Sequence, residues 1–316
     1  MGLEQPASDG TEPQRNSFRR FVRAELVAIY SGMTEVIGNS TIRWLNRPIK
    51  TGPGEMAFRY PAEYAWGKDD AAIESSRGRL LRRFDEWKAR IQPVFSRATP
   101  QVARDFDQKC GAVRLWLSRD EMDSSVPRAV GEAQRVFQAK IRALADSVTS
   151  VFPRASVGLV LVPDTNWLIH YPSFSDYCLL DPQRPLEIRL MPQVLQELDD
   201  LKNNGRNGDI RRDARETIRC LRSLREGGRL SDGVPVGENA TLSTEAREPS
   251  RNDVPSWLDF DVADDRLLAS ALHQQLANSG LDVALLTDDI NMQNKADAIG
   301  LPWIDAPAEW ERHQSG

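Results

Sequence analysis

Histidine and cysteine are scarce in this chain, and their scarcity removes several chemistries at once. Among 316 residues there are three histidines (His170, His273, His313) and three cysteines (Cys110, Cys178, Cys220). The cysteines are widely spaced and odd in number, so they make neither a zinc pattern nor a disulfide framework, and they suit a reducing compartment. With so few imidazoles, histidine acid–base catalysis has no obvious bearer. Long apolar runs are missing as well. The purest, residues 157–162, falls far short of the roughly 18 residues of a membrane span. Gln5, Asp9, Glu12 and Gln14 stand where a signal peptide would put its apolar segment, so a cytoplasmic location is expected. No internal repeat and no phosphate-binding glycine loop occurs. The net charge of -5 does not advertise nucleic-acid binding, but an acidic site and a basic strip on one molecule can hide each other in that sum.

What is present is the composition of a globular protein: 40% hydrophobic and 28% charged residues, enough chain for two ordinary domains. Residues 1–14 read as a disordered leader and 308–316 as a tail. Residues 15–150 read as an α-helical domain. Phe18, Val22, Leu26, Ile29 and Met33 recur at helical spacing, as do Leu80, Phe84, Trp87 and Ile91. A third stretch runs Val102, Phe106, Cys110, Val113, Leu117 behind the capping pair Thr99-Pro100, and a fourth runs Val130, Phe137, Ile141, Leu144, Val148. Residues 39–68, richer in Pro, Gly and aromatics, read as irregular.

At residue 157 the pattern changes. The run 157–162 suits a strand buried on both faces, and Leu186, Ile188 and Leu190 alternate as a second strand. Helices follow from Pro192 and over 209–226. Residues 227–256, Gly/Ser/Pro/Glu-rich with little apolar periodicity, read as a flexible insertion. A helix from about Asp264, a buried strand at 283–286, a helix at 290–299 and a last strand at 301–304 complete the half. Such alternation argues for a parallel sheet with helices on both faces.

Ligands of such sheets bind beyond the carboxyl ends of the strands. Asp164 follows the first strand directly, and Asp288 and Asp289 follow a later one. Glu197 lies one to two turns into the helix after the second strand, and Asp264-Asp265 open another helix. Taken singly, three of them have a plain structural use: Asp264 as a helix cap, Glu197 on a solvated face, Asp289 in a turn; Asp164, ending a buried strand, has few. Crowded together, their repulsion raises pKa values and costs stability, which makes sense around a hard divalent cation.

The segments Leu161-Val-Pro-Asp164-Thr165-Asn166, Val194-Leu-Gln-Glu197-Leu-Asp199, Asp264-Asp265-Arg-Leu-Leu and Leu285-Leu-Thr287-Asp288-Asp289-Ile-Asn291-Met-Gln-Asn-Lys-Ala together resemble a PIN domain, nearest the branch found in RNA-decay and ribosomal-RNA-processing nucleases. The resemblance covers about residues 157–307. It implies an α/β fold, a Rossmann-like parallel sheet flanked by helices, behind the all-α N-terminal domain. It also implies a ribonuclease dependent on Mg²⁺ or Mn²⁺. Carried over by motif, Asp164, Glu197, Asp265 and Asp289 are the catalytic, metal-binding acids, with Asp288 and Asp264 as alternative ligands within their doublets. Thr165, Asn166, Thr287 and Asn291 are supporting residues. The long insertion departs from compact members and leaves the substrate path open.

Between Lys202 and Arg229 nine basic residues face four acidic ones. Lys202, Arg206, Arg211, Arg215, Arg219 and Arg222 are the expected RNA contacts, several of them on one helical stripe, because the guanidinium fork suits phosphate. The plain alternative is a solvated face with pairs such as Arg212–Glu216. The tryptophans read mainly as core, with Trp167 and Trp257 placed where one could stack on a base. The resulting expectation is an endonuclease for single-stranded RNA that leaves 5′-phosphate and 3′-hydroxyl ends. The helical half would serve RNA positioning, a protein partner or an inhibitor. The rivals are a catalytically idle RNA-binding or scaffold protein of the same fold and a structure-specific DNA nuclease. A haloacid-dehalogenase-like phosphatase would need an aspartate where Asn166 stands, and a receiver domain would order its acids differently.

Overall fold

The computed structural model describes residues 18–45, 63–119, 126–152, 158–205, 207–251, 254–255, 257–278, 280–307 and 310. The expected leader, nearly all of the expected tail, and Arg206 lie outside these residues. The chain divides into two compact units, residues 22–154 and 155–316, with the first turn of the first helix, up to Phe21, grouped with the latter.

The N-terminal unit is built on α1 (Phe18–Gly38), α2 (Ala71–Ser96), α3 (Pro100–Ser118) and α4 (Val130–Val151). Local chemistry sets the ends of these helices. Asp70 caps α2 by accepting from the Ile73 amide at 2.8 Å. Thr99 precedes α3 with proline at its first position, where the missing N–H costs nothing, and Arg119 in the left-handed region (φ 52) ends it. The apolar stripes meet. Phe84, Trp87, Ile91 and Phe95 of α2 are buried, as are Phe106, Cys110, Val113 and Leu117 of α3 and Phe137, Ile141, Leu144 and Val148 of α4. The Phe95 and Phe106 rings stack with centroids 3.7 Å apart, and the Trp87 indole N–H donates to the Val22 carbonyl at 2.9 Å. Each such side chain contributes about 1.5–3 kcal/mol by leaving water. The stretch read as irregular, 39–68, instead contains a short antiparallel ribbon, β1 (Ile42–Trp44) against β2 (Tyr64–Trp66). Strands of three residues are too short to show a sequence period.

The C-terminal unit is a mostly parallel sheet flanked by helices. Its strands are β3 (Leu159–Pro163), β4 (Leu186–Leu190), β5 (Val234–Pro235), β6 (Ala240–Thr244), β7 (Asp282–Leu286) and β8 (Trp303–Ile304), in spatial order β5-β6-β4-β3-β7-β8. Between them run α5 (Thr165–His170), α6 (Pro192–Asn204), α7 (Gly208–Glu226), α8 (Ala263–Ala277) and α9 (Ile290–Ile299). Every residue of β3 is buried, as its unbroken apolar run requires. From β3 the chain builds outward to β4 on one side and later to β7 on the other, so the topology switches between β3 and β7. Pro163 pairs with Leu286, which brings the residues following both strands to one point of the sheet edge.

One expectation is corrected here. Within 227–256, read as a flexible insertion, β6 lies inside the sheet, parallel to β4 in register from Leu186↔Ala240 to Leu190↔Thr244. Its apolar content is only Ala240 and Leu242, both buried; pairing with β4, not local pattern, makes it a strand. The sheet is otherwise parallel, as expected, with one pair at its edge as the exception. β5 runs antiparallel to β6, because the four residues joining them allow a hairpin and not a crossover.

Candidate active site

At the carboxyl edge of β3 and β7 the chain forms a small cleft of about 30 Å³. Asp164, Glu197, Asp264 and Asp289 all line it, with Thr165, Asn166 and Gln193 between them. Four acids on four separate elements therefore converge: the end of β3, the middle of α6, the first turn of α8 and the start of α9.

Asp164 is held from two sides. As the N-cap of α5 it accepts from the Trp167 amide at 2.6 Å, which satisfies one of the donors left open at a helix start. Its other oxygen accepts from the Thr287 hydroxyl at 2.5 Å. That hydroxyl, fully buried, in turn accepts from the Asp289 amide at 3.1 Å, so a single side chain ties Asp164 to the turn that carries Asp289. Asp164 is only 5% exposed. Burial pushes its carboxyl up to about 6, against the pull of the Thr287 and Trp167 hydrogen bonds, and the neighbouring Asp288 and Asp264 charges add to the rise. Glu197 accepts from the Thr165 hydroxyl at 2.7 Å, which aims this otherwise exposed side chain. Asp289 caps α9, accepting from the Asn291 amide at 2.7 Å and the Met292 amide at 3.3 Å.

The members of each doublet are placed differently. Asp264 lines the cleft, and burial, followed by the Asp289 charge, raises its pKa. Asp265, expected as a catalytic acid, is buried outside the cleft lining and accepts from Lys295 Nζ at 2.5 Å and the Asp259 amide at 2.9 Å. Successive residues of a helix point about 100° apart, and Asp264 is the member of this pair that lines the cleft. Asp288 accepts from the Ala306 amide at 3.1 Å and lies 3.4 Å from the Tyr171 hydroxyl. It acts on the cleft through its charge on Asp164 and is not part of the lining.

Sequence reasoning missed two residues. Gln193 is 3% exposed, donates to the Ser270 hydroxyl at 2.8 Å, and leaves its carbonyl oxygen without a partner among the described residues. A buried unpaired acceptor in a cleft lining is a costly feature. Lys295 is the other, and the Lys-Ala pair of the last motif was its signal. Of the two tryptophans placed for stacking, Trp167 is buried and packs against Tyr171 and Tyr177, while Trp257 is 49% exposed.

The expected RNA contacts are dispersed. Lys202 binds Asp199 at 2.8 Å, and Arg211 donates to the Gly205 carbonyl at 2.7 Å, closing the end of α6. Arg215, Arg219 and Arg222 are exposed on α7. Arg212 pairs with Asp209 and Asp213 in place of Glu216.

The cleft presents a hard, all-oxygen donor set with two carboxyls destabilised by burial and mutual repulsion, which fits a divalent cation in chemistry. Among the described residues, no three Asp, Glu, His or Cys side chains stand close enough to ligate one as placed.

The PIN-domain family model matches residues 161–306, the part of the chain that holds the parallel sheet, its switch point and the acidic cleft. PIN domains generally use divalent metals and bind RNA, and the match suggests a nuclease-like function for this half of the chain. Among curated proteins, the chain is similar to Protein PhoH2 of Bacillus subtilis, 30% identical over 150 residues, covering 45% of this chain and 31% of that one. Protein PhoH2 of Mycolicibacterium smegmatis is 37% identical over 110 residues, and that of Thermobispora bispora 36% over 109; each match covers 34% of this chain and 24% of the relative. The chain thus spans under a third of the length of these relatives.

Proposed function

We propose that the C-terminal unit is a divalent-metal-dependent endoribonuclease that hydrolyses single-stranded RNA to 5′-phosphate and 3′-hydroxyl ends. The observation that carries this reading is the convergence of Asp164, Glu197, Asp264 and Asp289 on one cleft at the switch point of the sheet. These four carboxylates would hold Mg²⁺ or Mn²⁺, which would polarise a phosphoryl oxygen and lower the pKa of a bound water. Asp265 takes no direct part; it anchors Lys295, whose charge stands against Asp264.

The chain's own residues do the remaining work. Thr287 and Trp167 keep both Asp164 oxygens in fixed positions, and the Thr165 hydroxyl steers Glu197 toward the same space. Thr165, Asn166 and Gln193 line the cleft between the acids and would orient a nucleophile entering it. The exposed arginines of α7 would bind the phosphate backbone without reading sequence.

The test is a paired assay with end-labelled RNA and DNA of one sequence, using the wild-type chain and Asp164→Asn, in Mg²⁺, Mn²⁺ or EDTA. Metal-dependent RNA cutting lost in the variant supports the proposal. A cyclic-phosphate product would refute it, since that product marks attack by the RNA's own 2′-hydroxyl. Cutting confined to structured DNA would assign a DNA nuclease. Salt-sensitive RNA binding without cutting would assign a scaffold role.

A further inference from the structure

Beside the acidic cleft, on the neighbouring face of α6, lies a second and much larger pocket of about 500 Å³. The cleft takes Gln193, Val194 and Glu197 from this helix, while the pocket takes Leu195, Leu198 and Asp199. These positions are one residue apart, about 100° around the helix, so α6 is the ridge between the two spaces. A helix with its side chains is about 10–12 Å across, which sets the scale of their separation.

The pocket's chemistry is two-sided. Its floor is apolar, with Leu198 and Leu221 buried and Ile218 and Leu230 half-buried. Its rim carries Arg222, Arg225 and Arg229, all exposed, and none forms an ion pair among the described residues. The acid in the lining, Asp199, is already bound to Lys202. Three guanidinium groups without local carboxylate partners above a leucine floor fit a ligand with an anionic end and a flat apolar body.

We propose that this pocket is a nucleotide-binding subsite that holds one base and its phosphate from the RNA strand, outside the cleavage cleft. It rests on the ribonuclease reading above. The leucine floor takes the base face by burial of apolar area, and the arginine rim takes the phosphate. The strand is favoured over a free nucleotide by continuity: Arg215 and Arg219 extend the row of exposed arginines along α7 from Arg222. The pocket and cleft also share an edge of the sheet, because Thr244, at the carboxyl end of β6, lines the pocket.

The experiment measures binding of a fluorescent single-stranded RNA of about 12 nucleotides to the full chain carrying Asp164→Asn. Arg225→Ala with Arg229→Ala is compared with a charge-matched control, Arg82→Ala with Arg104→Ala, both exposed on the helical unit. Circular dichroism and melting verify the fold of each. The subsite pair should weaken binding by about tenfold beyond the control. It should also lower the salt slope by about 0.7, the loss of one phosphate contact to a single strand. An affinity within about twofold of the control overturns the subsite while leaving the nuclease reading intact. A parent chain that binds no RNA overturns both. Adenosine monophosphate serves as a second probe. If its binding is lost in the subsite pair while RNA affinity is unchanged, the pocket belongs to free nucleotides and the strand assignment falls.

Discussion

Neutralising Asp164 should stabilise the fold while abolishing the proposed activity. Its carboxyl stands at about 6, above the ordinary 3.8, because burial outweighs the hydrogen bonds that favour the charge. A carboxyl raised in this way stabilises the folded state fully below its unfolded-state value and loses that contribution as pH rises through the folded-state value. The gap corresponds to about 3 kcal/mol of penalty at about pH 8, and about 1 kcal/mol at about pH 4.5. Asp164→Asn removes the penalty and keeps an oxygen to cap the Trp167 amide. It loses the acceptor for the Thr287 hydroxyl, at about 1 kcal/mol. The variant should therefore match the wild type near about pH 4.5 and exceed it by about 2 kcal/mol near about pH 8, a gain of about 4–8 °C in melting temperature. The assay is paired urea and thermal unfolding in EDTA across that range. Added Mg²⁺ or Mn²⁺ should then stabilise the wild type alone and narrow or reverse the difference. A variant less stable than wild type at about pH 8 in EDTA, or a difference independent of pH, would refute the reasoning that Asp164 is a carboxylate held at a cost.

Further expectations concern its neighbours. Thr287→Val removes the hydroxyl that ties Asp164 to the Asp289 turn and should lower cleavage by about 10–100-fold, the scale of groups that orient metal ligands; an unchanged rate in the cleavage assay would show the tie to be dispensable. Lys295→Met leaves the buried Asp265 carboxylate without its cation and should cost about 2–4 kcal/mol by urea unfolding, whereas Asp265→Asn with Lys295→Met together should recover part of that loss. Leu242→Ala should cost about 2–4 kcal/mol, because Leu242 is fully buried in β6. Amides of 240–244 should also exchange slowly with solvent; fast exchange and a neutral substitution would restore the mobile reading of this segment. Gln193→Leu with Ser270→Ala removes a buried acceptor that has no partner among the described residues together with both ends of the Gln193–Ser270 hydrogen bond, and unfolding in EDTA should show a gain or no change.

Much of this protein is legible without coordinates. Apolar stripes at helical spacing, and the capping pair Thr99-Pro100, mark the N-terminal helices because burial of one face has to follow the period of the helix. The fully apolar run ending at Val162 marks a strand covered on both sides. In a parallel sheet every strand ends at the same edge, so the aspartates directly following β3 and β7 had to share that edge, and the adjacency of the two strands in the sheet brings them together. Tertiary structure decided the rest. Asp264 and Asp265, adjacent in the chain, differ only in the phase with which α8 is seated, and that phase is set by packing; one turns to the cleft and the other to Lys295. Asp289 and Asp288 part in the same way at the entry to α9. Ala240–Thr244 carries too few apolar residues to announce a strand, and hydrogen bonding to β4 is what makes it one. Trp167, next to the site in sequence, is carried into the core by the first turn of α5. Local periodicity states which face of an element must be buried; only the assembled neighbours determine which of two adjacent side chains meets the site.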